Sequence, residues 1–165
     1  MPQGSSIWRQ VWHQHTYSGQ PPSDLTFQFA PTGASIVSEV VRATYIGQTF
    51  SISCSFDPPV EIANWPVQVG YSFSGNGSCG QSTATVRGKV SGTQHTTLDG
   101  TTVTAYVIEA TVTTQGQIVS TSNETEWVDP VLRLIVHESN DMHGTFGAFT
   151  FSSNITRDLV SGNPS

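Results

Sequence analysis

Acidic side chains beside an aromatic ring are the first residues that could do chemistry. Glu124, Glu126 and Asp129 flank Trp127, and Glu138 and Asp141 follow. Two carboxyl groups held roughly 5 to 9 Å apart can cleave a glycosidic bond, one as acid and the other as nucleophile or base. Acids at strand ends are more often solvated turn residues, so no catalytic residue is assigned. His13 and His15 project to one side of an extended strand, a spacing that two imidazoles can use on a metal. A third ligand is missing nearby, because His95, His137 and His143 lie far along the chain. No metal or other cofactor is therefore expected. Serines abound, yet there is no Gly-x-Ser-x-Gly elbow, phosphate-binding Gly-rich loop or dinucleotide fingerprint, and an enzyme is not the expected reading.

Aromatic side chains offer a second chemistry. Trp8 and Trp12 share one strand face, and with Tyr17 and Trp127 they can serve as an interface or as a platform that stacks on sugar rings. Trp65 is a poor platform candidate because it falls in a core register. Three Asn-x-Ser/Thr sequons start at Asn76, Asn123 and Asn154, as many hydroxyl residues produce by chance.

These groups must be carried by strands. From Gln48 to Phe56, the residues Phe50, Ile52, Cys54 and Phe56 alternate with Thr and Ser. From Trp65 to Phe73, Trp65, Val67, Val69, Tyr71 and Phe73 repeat the device. A pleated strand puts each apolar set on one face, and these nine residues are the predicted core. Asp57-Pro58-Pro59 is expected to stop the first strand, since prolines remove ladder donors. Gly47 is expected to fold residues 35–46 back on it as a hairpin. Asp99-Gly100 between β-rich flanks predicts a two-residue hairpin turn, and Gln115-Gly116 a second reversal. Residues 75–80 and 139–144 read as loops, 61–64 as a helical turn at most, and Val131 to Val136 as a central strand. Residues 145–151 close the set. The expected fold is all-β, an antiparallel β-sandwich of jelly-roll or Ig-like type, with little or no helix. It is one domain over 1–165, with 1–24 as an N-terminal arm and 161–165 as a frayed tail.

Composition narrows the functional classes. Of 165 residues only 11% are charged, the net charge is -6, and Lys89 is the single lysine. No basic stripe exists, which argues against nucleic acid, and no apolar run is long enough for a membrane-spanning helix. Hydroxyls supply the polar faces, which suits surfaces covered by another chain, because burying a hydroxyl costs less than burying a charge. The start, Met1-Pro-Gln-Gly-Ser-Ser6, lacks the order of a secretory signal, so free thiols at Cys54 and Cys79 are favoured over a bridge.

The opening, Ile7-Trp-Arg-Gln-Val-Trp-His-Gln-His15, with the segments Pro21–Gly33 and Val41-Arg-Ala-Thr-Tyr-Ile-Gly47, resembles minor tail proteins of long-tailed actinobacteriophages. The closing Ser152-Ser-Asn-Ile-Thr-Arg157 is similar too. The resemblance implies a non-enzymatic virion component, built in the host cytoplasm and assembled in several copies with itself and other tail proteins, and contributing to host attachment. Host-surface glycan is a further implied partner. The alternative is a carbohydrate-binding or adhesive β-sandwich module.

Overall fold

The computed structural model describes residues 7–13, 24–45 and 48–159. The side chains of Trp8, Trp12, His13 and of residues 41–45 and 48–50 are outside that description, as are His15, Tyr17 and the 161–165 tail. Ten strands follow one another: β1 (Trp8–His13), β2 (Asp24–Phe29), β3 (Gly33–Tyr45), β4 (Gln48–Asn64), β5 (Ser72–Cys79), β6 (Ser82–Leu98), β7 (Thr101–Gly116), β8 (Ile118–Asp129), β9 (Leu134–Phe146) and β10 (Phe149–Asp158). Each pairs antiparallel with the next, so the sheet order is the chain order. The described residues contain no helix. The all-β antiparallel expectation holds, and the strands make one continuous sheet that curls into a half-barrel. β1 carries Trp8 and Trp12, which the sequence places on a strand, and it pairs with β2 from Trp8↔Phe29 to His13↔Asp24.

Curling follows from where the apolar groups point. Leu25, Phe27 and Phe29 on β2 meet Cys54, Phe56, Val60 and Ile62 on β4 and Val86, Val90, Ile108 and Val112 on β6 and β7 in one buried cluster. A flat sheet would leave that face wet; burying a Phe such as Phe27 contributes about 1.5–3 kcal/mol. The Asp99-Gly100 turn is as expected, with φ of 51° and 75°, which Asp and Gly tolerate.

Several boundaries differ from expectation. β4 does not stop at Pro58 and Pro59 but runs to Asn64. The β3–β4 register jumps from Ser38↔Ser55 to Ile36↔Val60, while β5 pairs with β4 only at Cys54 and Ser55. The prolines sit in a bulge where no ladder donor is required of them. Residues 61–64 are strand and not a helical turn. Residues 75–79 and 139–144 are strand and not loop. β5 crosses β4 so closely that a Cβ on Gly77 would lie 2.6 Å from both a Phe56 ring carbon and the Ser55 carbonyl oxygen. The glycines there permit contact between strands.

The predicted second core strand is corrected. Residues 65–71 lie between β4 and β5, and Tyr71 N–H bonds the Gln68 carbonyl at 3.2 Å, which places Val69 within a reverse turn. Val69 is 59% exposed, whereas Cys54, Phe56 and Val67 are buried and Ile52, Trp65, Tyr71 and Phe73 pack at the core's rim. Phe50 is placed on β4 opposite Ala43, and its side chain is outside the description. Val131, expected in a central strand, is 85% exposed in the turn joining β8 to β9. Asp129 sets that turn by accepting hydrogen bonds from the N–H groups of Val131 (2.8 Å) and Leu132 (3.0 Å). The free-thiol expectation is also overturned, because Cys54 and Cys79 form a disulfide, S–S 2.07 Å. They are directly opposite on neighbouring strands, a proximity that spacing along the chain does not reveal.

Candidate functional site: a buried carboxyl cluster

The inward face of β8 reads Ile118, Ser120, Ser122, Glu124, Glu126 and Val128, and all six are buried. Strand alternation makes this inevitable once Ile118 and Val128 point inward, because the four polar residues between them share their phase. A polar seam therefore runs through the interior. Thr114 and Ser120 share a hydrogen bond of 2.7 Å, Ser122 donates to Asn140 Oδ1 at 2.8 Å, and Asn140 Nδ2 approaches Glu124 Oε1 at 3.4 Å.

Beyond Glu124 the seam becomes ionisable. Glu126 pairs across the ladder with Glu138 on β9, and Glu138 with Arg157 on β10. Arg157 Nη1 donates to Glu138 Oε2 at 2.8 Å. Glu126 is fully buried, and neither of its carboxyl oxygens has a hydrogen-bond partner among the described residues. Burial first, then the charges of Glu138 and Glu39, push the Glu126 carboxyl up to about 8. Glu39 on β3, in the other arm of the curl, is raised to about 7 by burial and then by Glu138, while Arg157 pulls it down. Glu124 rises well above the carboxylate range for the same reasons, burial leading and Glu39, Glu126 and Glu138 adding to it. Glu138 also rises, because loss of water outweighs the pull of Arg157. At neutral pH the cluster holds protons that exposed carboxyls would have lost.

Of the acids singled out in the sequence, Glu124, Glu126 and Glu138 are thus brought together, Asp129 holds a turn, and Asp141 is exposed. The cluster is sealed: Glu124, Glu126 and Glu138 are 5%, 0% and 2% exposed. Glycosidic chemistry needs carboxyls that a sugar and a water can reach, and these do not meet that need. Glu39 and Arg157 were missed as members. The signal for Arg157 is its phase with Phe151 and Ile155 on β10; for Glu39 there was none, since its neighbours lie across the curl.

The histidines whose side chains are described, His95, His137 and His143, do not converge. His95 is exposed on β6 beside Thr104, 3.1 Å away, and His143 is exposed on β9. His137 stacks on Trp127, centroids 4.3 Å apart, and meets Asp158 at 2.7 Å. Among the described residues no three His, Cys, Asp or Glu side chains are placed to hold a metal. Trp127 is half-buried, Trp65 donates from Nε1 to the Ala30 carbonyl at 3.0 Å, and Trp8 and Trp12 occupy β1. A shallow trough of about 530 Å³ is lined by Arg87, Lys89, Glu109, Asn123 and Thr125, with Glu124, itself 5% exposed, also at its wall and no aromatic ring among the described lining residues for a sugar to stack on.

No protein-family profile matches this chain, and no curated protein and no solved structure matches it either.

Proposed function

We propose that this protein is a non-enzymatic structural subunit that works by assembly in several copies, and that the assembly is a phage tail or tail tip, as the resemblance of its first and last segments implies. In this reading the two arms of the curled sheet act as the two layers of a sandwich, held together by the apolar cluster they enclose.

The observation that carries the reading is the edge strand β10. It is ten residues long, has β9 as its only sheet neighbour among the described strands, and carries no proline and no charged residue until Arg157 and Asp158 at its end. Proteins that work alone blunt such an edge, since it presents unpaired N–H and C=O groups to any other strand. The sealed carboxyls support the same reading, because they are inaccessible to a substrate in this conformation.

Mass spectrometry of purified particles tests the proposal. The chain is expected among the virion proteins in stoichiometric, multicopy amounts, and its absence from intact particles overturns the assignment.

A further inference from the structure

We propose that two copies of this chain join edge to edge through β10, antiparallel about a two-fold axis at Ser153, to make one continuous sheet. This deepens the assembly reading and rests on it by naming the surface and the register.

The backbone geometry shows which groups are available. Leu159 N–H bonds the Val136 carbonyl at 2.9 Å, in step with Asp158↔His137 and Arg157↔Glu138. Antiparallel bonds alternate along a strand, so the odd-numbered residues of β10 bond β9. Thr150, Ser152, Asn154 and Thr156 therefore turn their N–H and C=O groups away from the sheet. Their side chains are exposed and uncharged, while Phe151, Ser153 and Ile155 on the other face are half-buried.

The sequence of this edge is complementary to itself. With the axis at Ser153, Phe151 faces the partner's Ile155, Ser152 faces the partner's Asn154, and Thr150 faces the partner's Thr156. The Phe–Ile pairs fall at non-hydrogen-bonded positions, where opposed side chains approach most closely, and aromatic with β-branched is a favoured cross-strand pair. The hydroxyl and amide pairs fall where the backbones exchange hydrogen bonds. Placing the axis at Asn154 instead sets Phe151 against the partner's Arg157 and loses the Phe–Ile contacts. A two-fold interface uses one patch twice, and this strand supplies such a patch.

Cysteine cross-linking of the full chain tests the register. Cys54 and Cys79 are already bridged, so a new thiol is the sole free one among the described residues. Under mild oxidation Ser153→Cys is expected to give a disulfide-linked dimer, and Asn154→Cys at least ten-fold less. Asn154→Pro deletes an outward N–H and no bond to β9, so it is expected to abolish the dimer seen by sedimentation while leaving the melting temperature near that of the parent. Preferential cross-linking of Asn154→Cys overturns the register. A parent that self-associates while Ser153→Cys fails to cross-link and Asn154→Pro still associates overturns β10 as the interface and leaves the assembly reading standing. A parent that stays monomeric at high concentration, with no cross-link, overturns the pairing, and particle mass spectrometry then decides the assembly reading separately.

Discussion

The side-chain amide of Gln10 acts as a piece of strand against the backbone of Ile135. Its Oε1 accepts from Ile135 N–H at 2.9 Å and its Nε2 donates to the Ile135 carbonyl at 3.1 Å. The two bonds fix the amide's orientation, since a flip would set donor on donor. They tie the first strand to the ninth across 125 positions of sequence and hold the curl closed at that point.

Replacing Gln10 by Ala therefore leaves an N–H and a C=O without a protein partner. The expected loss is about 1–3 kcal/mol, at the low end if water reaches Ile135. Urea unfolding of the parent and of Gln10→Ala measures it, and equal midpoints would show that the curl is held by packing alone.

Stability should fall as pH rises through neutrality. The ordinary glutamate value is 4.5, and in the fold Glu39 and Glu126 lie at about 7 and about 8. Between those limits the unfolded chain has released protons that the folded chain keeps, so each unit of pH favours unfolding. The melting temperature is expected to be several degrees higher at pH 5 than at pH 8.5, given about 2–4 °C per kcal/mol for a chain of this size. Glu126→Gln cannot ionise and should remove much of that slope. A parent that melts higher at pH 8.5 would contradict the burial of these acids.

The Cys54–Cys79 disulfide closes a loop of 25 residues. Loop-closure entropy for that length corresponds to about 3 kcal/mol. The Cys54→Ser, Cys79→Ser double variant should lose stability on that scale in calorimetry. An unchanged melting temperature would mean that the unfolded chain gains nothing from the open loop.

Gly77 is expected to reject any side chain. A Cβ there would meet the Phe56 ring and the Ser55 carbonyl oxygen at 2.6 Å, and the backbone atom cannot swing aside. Gly77→Ala should cost about 1–3 kcal/mol by overpacking. The exposed Gly80→Ala tests a different penalty, since its φ of 61° strains a side chain although no atom lies within 4 Å of the added Cβ.

Much of the strand pattern was legible because a half-buried strand writes its burial into alternate residues. Phe50 to Phe56 and the Asp99-Gly100 reversal are local signals, and β4, β6 and β7 appear where those signals put them. The pattern misled where a local signal was answered from outside the strand. Pro58 and Pro59 look like a stop, but a register jump against β3 absorbs them. The Gly75–Gly80 stretch looks like a loop, but Gly75 and Gly77 lie against Val60 and Phe56 on the crossing strand. The acid cluster was half legible, since Glu124, Glu126 and Glu138 stood out as acids while their burial did not.

Residue type and period alone determined that this chain makes antiparallel strands joined by short reversals, because propensity and alternation act between neighbours. Only the tertiary structure decided that Cys54 pairs with Cys79 on the next strand, that Gln10 reaches Ile135, and that Glu39 comes within electrostatic reach of Glu138 and Arg157. Those meetings depend on how far each strand is shifted and twisted against the next, and such offsets accumulate across ten strands without leaving a mark at any single position.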